Sequence, residues 1–230
     1  MPTKLFQYST ITSLVQGNYE GEINYVDFKD QGDFGLGTFD SLDGEMIVLN
    51  GVFYQLLADG SVNIVDQNYR SPFLSICKFT PETTVKLTNL KQPEVLDQIL
   101  NSTASSKIIA IKIEGEFEQV STRTVRKQVK PYKKMFEIND VQSEMHFQNQ
   151  TGTIVGFYTP RYLNTIGVEG VHFHFLTSDL NSGGHVLNFT LKQGTMSQCT
   201  IAEIALKLGA KNFDQTDVQA EIKKLEGHND

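Results

Sequence analysis

A short hairpin in the second half of the chain carries the pattern that most constrains both fold and chemistry. The run Val171–Leu176 reads Val-His-Phe-His-Phe-Leu, and successive side chains of a β-strand point to opposite faces of the sheet. His172 and His174 therefore share one face. The loop Thr177–Gly184 contains the Asp, Asn and Gly residues that favour turns, and His185–Leu191 has the composition of a return strand. The pattern predicts an antiparallel hairpin.

The three histidines of this hairpin form a candidate metal centre. If Leu176 pairs with His185, all three imidazoles lie on one face of the sheet. Three neutral nitrogen ligands suit a divalent metal and leave room for water or substrate. A His-x-His pair alone is more often two half-buried polar side chains, but a third histidine directly after a Gly-Gly turn favours metal binding. The pattern therefore predicts a metalloenzyme whose ligands are His172, His174 and His185.

The remaining sequence predicts an α+β protein that is rich in strands. Turn dipeptides such as Asn50-Gly51 separate short strand-like runs in the first half, which we interpret as a β-meander. Apolar spacing predicts helices near 10–14, over 93–100 and at the C-terminus, where Thr216 and Gln219 form a capping box. We expect two mixed or antiparallel sheets, with the metal site on the sheet of the C-terminal half. Residues 1–230 would form one catalytic unit with two sub-lobes, about 1–105 and about 106–230.

The predicted strands of both halves follow from these patterns. They are Phe34–Phe39, Glu45–Leu49, Val52–Leu57, Val62–Val65, Ile108–Ile113, Phe117–Thr124, Thr153–Tyr158, Val168–Leu176, His185–Leu191 and Thr200–Leu206. Glycines 32, 35 and 37 do not match a phosphate-binding motif, and they predict a bulge or close packing instead.

The composition excludes several classes of protein. The formal net charge of −7 over 230 residues argues against general affinity for nucleic acids. No apolar run reaches the roughly 20 residues that cross a bilayer, so we expect no membrane partner. The N-terminus lacks a basic segment followed by an apolar core, and no signal peptide is expected. Cys77 and Cys199 are expected to be buried free thiols, which together with these features predicts a cytoplasmic protein.

A cluster of basic residues between positions 123 and 134 has two interpretations. It consists of Arg123, Arg126, Lys127, Lys130, Lys133 and Lys134. Most of these residues are expected to be solvated, because the chain as a whole is acidic and the cluster lacks interleaved aromatic residues for base stacking. One guanidinium near the metal would nevertheless suit an anionic substrate.

Several short segments, considered together, resemble a known family over nearly the whole chain, beginning at Leu5-Phe6-Gln7-Tyr8-Ser9-Thr10. The segments are Gly35-Leu36-Gly37-Thr38-Phe39, Leu42-Asp43-Gly44-Glu45-Met46, Phe53-Tyr54-Gln55, Arg123-Thr124-Val125, Gln128, Pro131-Tyr132, Gly156-Phe157-Tyr158-Thr159-Pro160 and Ser182-Gly183-Gly184-His185-Val186-Leu187-Asn188. Their combination resembles the α-acetolactate decarboxylase family.

The resemblance implies a carboxy-lyase that converts 2-acetolactate to acetoin and CO₂ at a zinc ion bound by the three histidines. It also implies catalytic roles for Glu45 and Arg123. A further glutamate would come from the C-terminal segment, where we choose Glu226 over Glu221. We expect Arg123 to act in substrate binding and protonation, and Glu45 and Glu226 in positioning and proton transfer. Each charged residue could instead be an ordinary solvated side chain.

The chemistry of the three-histidine site agrees with this implication. Loss of CO₂ leaves an electron pair on carbon, and Zn²⁺ can stabilise the resulting enediolate as a redox-inert Lewis acid without an organic cofactor. A positioned acid must then protonate one face, because acetoin is chiral. Exposed strand edges also suggest a homodimer.

Two alternatives remain open at this point. A dioxygenase would use two histidines, a carboxylate ligand and iron, and it would consume oxygen. A non-catalytic protein that binds or stores a metal would have no use for Glu45 or Arg123.

Overall fold

The structure is a computed structural model that describes residues 3–102, 106–138, 142–213 and 218–225. The strands in this part of the chain are β1 (Lys4–Tyr8), β2 (Ile23–Asn24), β3 (Phe34–Thr38), β4 (Glu45–Leu49), β5 (Val52–Leu56), β6 (Val62–Ile64), β7 (Arg70–Ser71), β8 (Leu74–Cys77), β9 (Thr83–Lys91), β10 (Ile109–Val125), β11 (Gln142–Thr159), β12 (Gly170–Thr177), β13 (Gly183–Thr200) and β14 (Glu203–Lys207). The α-helices are α1 (Ile11–Val15), α2 (Tyr25–Phe28), α3 (Gln92–Ser102) and α4 (Gln219–Leu225).

The first sheet is mixed and contains the predicted meander. Its strand order in the described part of the chain is β14-β1-β8-β3-β4-β5-β6. The predicted β3 to β6 are confirmed to within a residue or two at their ends. Asn50 and Gly51 both have positive φ, 54° and 79°, as the tight turn between β4 and β5 requires. Strand β14 pairs with β1 in parallel, while the other pairings in this sheet are antiparallel.

The second sheet is antiparallel and is built from much longer strands. Its order among the described strands is β10-β11-β12-β13-β9, and β10 also pairs with β13. The prediction of separate strands before and after Gly115 was wrong, because β10 runs unbroken through this residue. Gly115 lies opposite Gly152 on β11 and Gly194 on β13. A Cβ on Gly115 would lie 2.3 Å from the Gln193 carbonyl oxygen, so the glycines permit close pairing rather than ending the strand.

A hydrophobic core lies between the two sheets. Leu36 and Ile47 of the first sheet pack in one cluster with Val155 and Phe157 of β11. The expected close packing of the glycines near β3 is confirmed, since a Cβ on Gly35 would lie 2.1 Å from the Ser75 carbonyl oxygen. The side chains of this cluster hold the two sheets face to face, whereas the close approach at Gly35 lies within the first sheet.

The same core contains both cysteines. Cys77 and Cys199 are buried free thiols, as expected, among the described residues. Burial raises the pKa of the Cys77 thiol well above its usual range.

The strands do not divide between the sheets at residue 105. Strand β9 precedes that position and belongs to the second sheet, whereas β14 follows it and belongs to the first. The chain therefore crosses between the sheets more than once. This exchange of strands links the two halves of the chain. No helix in the described ranges is long and apolar enough to span a membrane.

The predicted terminal helices are present. Helix α1 begins after Thr10, whose side-chain oxygen accepts a hydrogen bond from the Ser13 amide at 3.2 Å. In α4 the apolar stripe is confirmed by Ile222, which is buried with Val218 against α1 and its neighbours. Thr216 of the predicted capping box lies outside the described residues.

Candidate metal centre

The histidine hairpin has the predicted strands but a different register. His174 pairs with His185, and Leu176 pairs with Gly183, so the predicted pairing of Leu176 with His185 was wrong by two residues. The turn is shorter than expected, because the Thr177 amide donates to the Ser182 carbonyl oxygen at 3.0 Å. A shift of two residues preserves the alternation of a strand. The three histidines therefore still share one face.

The three imidazoles converge on one point. Their candidate ligand nitrogens all lie within 4.8 Å of one another. The ring centroids are 5.0 Å apart for His172–His174, 5.0 Å for His172–His185 and 5.5 Å for His174–His185. His174 and His185 are buried, and His172 is partly exposed. The cluster is thus mostly buried, with His172 as its most exposed member.

A backbone contact fixes the orientation of His174. Its Nδ1 lies 2.8 Å from the carbonyl oxygen of Met46 on β4. A carbonyl oxygen can only accept a hydrogen bond, so Nδ1 is the donor, and in the neutral imidazole the Nε2 lone pair is then the one that can bind a metal. A metal-binding histidine is commonly oriented in this way through its second nitrogen. The donor set and this orientation fit a divalent metal such as zinc.

Glu45 reaches the histidine cluster from the first sheet. Its Oε2 lies 3.5 Å from His174 Nε2, and its side chain is 14% exposed. Two buried side chains hold the preceding turn: Thr38 Oγ1 donates to the Gly44 carbonyl oxygen at 2.7 Å, and Gln55 Nε2 donates to the Asp43 carbonyl oxygen at 2.6 Å. Glu45 thus faces the candidate centre rather than open solvent.

Arg123 stands apart from the rest of the basic cluster. It lies on β10 directly opposite His185 and is only 9% exposed. Its Nη1 donates to Gln142 Oε1 at 3.2 Å. The other cations of the basic cluster are nearer the surface. Lys127, for example, pairs with Asp43 at 3.2 Å. The expectation that one guanidinium is placed near the histidines therefore holds.

The two candidate C-terminal glutamates differ in what is known of their position. Glu226 lies outside the described residues. Glu221 is in the first turn of α4, where it lines a solvent-facing chamber together with Arg123. Helix α4 is therefore one wall of the approach to the histidines.

The candidate site consists of an inner cavity and an outer chamber. The inner cavity has a volume of about 50 Å³, and the outer chamber has about 850 Å³. The polar side of the inner cavity is formed by Thr38, Glu45, Arg123, Gln142, His172 and His185. Its apolar side is formed by Ile11, Leu14, Leu42, Phe73, Val125 and Met135. A lining of this kind suits the part of a small molecule that carries both oxygen atoms and alkyl groups.

Three lining residues were not singled out from the sequence. Thr38 lies within a quoted motif and opposite Glu45 in the register of β3 and β4, so strand pairing could have identified it. Gln142 begins β11 and reaches Arg123 only because β10 and β11 are long. Met135 comes from a short 3₁₀ helix, Met135–Glu137, and has no local pattern that marks it.

Comparisons with known proteins agree with the geometry. Residues 5–220 match the family model described as alpha-acetolactate decarboxylase. The Bacillus subtilis (strain 168) alpha-acetolactate decarboxylase is 40% identical, with 98% of this chain and 91% of that protein aligned. The Brevibacillus brevis enzyme of the same name is 40% identical over 89% of this chain and 72% of its own length.

The fold also matches that of a solved member of the family. The crystal structure of the Bacillus subtilis strain 168 alpha-acetolactate decarboxylase superposes with a TM-score of 0.94 at 39% identity, covering 97% of this chain and 99% of that one. The resemblance noted in the sequence is thereby confirmed. This chain belongs to the alpha-acetolactate decarboxylase family, a family of carboxy-lyases.

Proposed function

We propose that this chain converts 2-acetolactate to acetoin and CO₂, and that His172, His174 and His185 hold a Zn²⁺ ion. Family membership supports the reaction. The observation that carries the proposal is the cluster of three imidazoles, two of which line a small cavity together with Glu45 and Arg123. We further propose that residues 1–230 act as one catalytic unit.

The reaction needs an electron sink and a controlled proton. The bond between the carboxyl carbon and the neighbouring carbon breaks, and the electron pair stays on the organic fragment. When bound, zinc would supply a redox-inert Lewis acid that draws electron density towards the substrate oxygens. The three histidines fit this ion, since they offer neutral nitrogens from two paired strands.

The role that we assign to Arg123 is recognition of the substrate carboxylate. A guanidinium binds a carboxylate through two parallel N–H donors, and burial strengthens that interaction. Gln142 accepts one N–H of Arg123 and limits the movement of the guanidinium. Departure of CO₂ would leave Arg123 next to the carbon that must be protonated.

Glu45 and Glu226 are assigned to positioning and proton transfer. Glu45 lies at the polar side of the cavity, where a carboxyl group can hold or deliver a proton over a short distance. The apolar side excludes water, so the proton comes from a fixed group rather than from solvent. Protonation from one direction would give a single acetoin enantiomer.

The setting of the enzyme is also proposed. The two buried free thiols favour a reducing cytoplasm, and the exposed strand edges of β6 and β9 offer surfaces for a homodimer. The net charge of −7 gives no general affinity for nucleic acids.

The test is acetoin and CO₂ release from racemic 2-acetolactate, measured before chelation, after chelation and after zinc is restored. We expect zinc-dependent formation of one acetoin enantiomer. Absence of turnover by folded, zinc-loaded protein would overturn the proposal. Oxygen consumption with iron would instead indicate a dioxygenase in which Glu45 is a ligand.

A further inference from the structure

The inner cavity and the outer chamber share a boundary that we call the neck. Among the described residues, Arg123, Met135 and Gln142 line both spaces. A group that extends from the inner cavity into the outer chamber therefore passes these three side chains.

The two sides of the neck differ in chemistry and in freedom. Arg123 and Gln142 are joined by a hydrogen bond of 3.2 Å and come from paired strands, so they form the fixed polar side. Met135 forms the apolar side. Methionine is unbranched and fills irregular gaps, so its side chain adapts readily to a neighbour of different size.

The volumes of the two spaces bear on how long an alkyl substituent the site can hold. The inner cavity, at about 50 Å³, is less than a tenth of the outer chamber, at about 850 Å³. Its apolar wall includes Ile11, Leu42 and Phe73, which are almost fully buried. The outer chamber lies past Met135 and is the larger of the two spaces, so it can take a longer alkyl substituent.

We propose that Met135 is the specificity-determining residue for the length of the substrate's alkyl substituent. This inference rests on the proposed decarboxylation of 2-acetolactate. With the carboxylate on Arg123 and the hydroxyl and carbonyl oxygens towards the histidines, the alkyl groups lie on the apolar side. Met135 then admits a methyl group and restricts longer chains.

The position of Met135 makes the inference testable without disturbing the histidines. Met135 lies in a 3₁₀ helix outside both sheets and packs at the edge of a cluster that contains Ile11 and Leu14. Phe136 is its matched control, because it is the next residue of the same 3₁₀ helix and lines only the outer chamber. Shortening Met135 would widen the neck, whereas shortening Phe136 would not.

The experiment compares kcat/KM for 2-acetolactate and for analogues in which ethyl or butyl replaces the methyl group on the hydroxyl-bearing carbon. In wild type we expect kcat/KM to fall with chain length. In Met135→Ala, the ratio of kcat/KM for the butyl analogue to kcat/KM for 2-acetolactate should rise about tenfold or more. A rise of this size is expected when a hydrophobic pocket gains room for a methylene group or more. Met135→Leu should stay near wild type, Met135→Val should lie between, and Phe136→Ala should keep the wild-type ratio.

The outcomes separate this inference from the proposed function. Absence of wild-type turnover of 2-acetolactate overturns both. Wild-type turnover with an unchanged ratio in folded Met135→Ala and Met135→Val overturns the role of Met135 alone. A rise in Phe136→Ala equal to that in Met135→Ala would also overturn it, because the restriction would then not lie at the neck.

Discussion

The two sheets contribute to the candidate site in different ways. The second sheet presents three histidines and Arg123 from long strands whose pairing fixes their positions. The first sheet contributes Glu45 directly after an irregular turn. In that turn Ser41 and Leu42 have positive φ, 64° and 54°, which costs about 1–2 kcal/mol for each such residue. The metal ligands thus rest on regular structure, whereas the carboxylate depends on a strained turn.

Contacts from other segments hold this turn in place. The Ser41 amide donates to the Tyr19 carbonyl oxygen at 2.6 Å, and the Gln128 amide donates to the Ser41 carbonyl oxygen at 2.7 Å. The hydroxyls of Ser41 and Tyr132 lie 2.8 Å apart. Strained backbone persists where its surroundings determine it in this way. If the proposed roles hold, metal binding depends on the second sheet, whereas turnover needs residues from both sheets.

The largest effect is expected from removing one of the candidate metal ligands, which lie on the second sheet. His185→Ala should lose zinc and reduce kcat/KM by about 1,000-fold or more, because two imidazoles hold the ion poorly. Metal analysis after gel filtration, together with acetoin assays, measures both effects. His146→Ala is the control, since His146 is exposed on β11. Retention of zinc and activity by His185→Ala would contradict the assignment of this centre.

Replacing the carboxylate of the first sheet should separate activity from metal binding. Glu45→Gln should keep zinc and lower kcat by about 100- to 10,000-fold, the range typical for loss of a general acid or base. Glu203→Gln, an exposed change on β14, provides the control. Equal loss of zinc in Glu45→Gln and His185→Ala would remove the distinction between the two sheets.

A smaller effect is expected from removing one contact that holds the turn before Glu45. Tyr132→Phe removes the hydroxyl that contacts Ser41, so we expect about 1 kcal/mol less stability towards unfolding. Because the turn carries Glu45, kcat should fall several-fold while zinc content and the KM for 2-acetolactate change little. Urea unfolding and steady-state kinetics measure these changes. Tyr162→Phe also removes a hydrogen bond, at an exposed site, and should leave kcat unchanged.

The smallest effect is expected at the two cysteine thiols that are buried in the core between the sheets. Burial raises the pKa of Cys77, so its thiol stays protonated and unreactive at pH 9, and the buried Cys199 is shielded from reagent. We expect no alkylation by iodoacetamide in the native protein and labelling of both thiols in urea. Mass spectrometry of the labelled peptides checks this. Rapid native labelling of either thiol would indicate that the sheets separate in solution.

Regular features of this structure were the most predictable from sequence. Turn dipeptides such as Asn50-Gly51 predict hairpins because they encode local backbone conformation. The shared face of His172 and His174 follows from the alternation of a strand, and this remains true when the register shifts by two residues. The family resemblance, based on many short segments, pointed to the same three histidines and to Glu45 and Arg123, which the structure places near one another.

Features that depend on distant pairing were not predictable in this way. The continuation of β10 through Gly115 depends on Gly152 and Gly194, which come from other strands. Likewise Met135 lines the cavity only because the segment that follows β10 folds back over α1. Local sequence contains no information about such neighbours. The predicted register of the histidine hairpin was wrong because several hydrogen bonds within the turn, among them those between Thr177 and Ser182, close it earlier than its composition indicated.

The parallel pairing of β1 with β14 has a consequence for synthesis of the protein on the ribosome. Lys4 is made well before its partner in the sheet, Glu203. Until that partner emerges, the edge of β1 is unpaired and can associate with other nascent chains. Late, non-local pairing also slows folding. We therefore expect chaperone binding to this strand during translation, with release once β14 has been made.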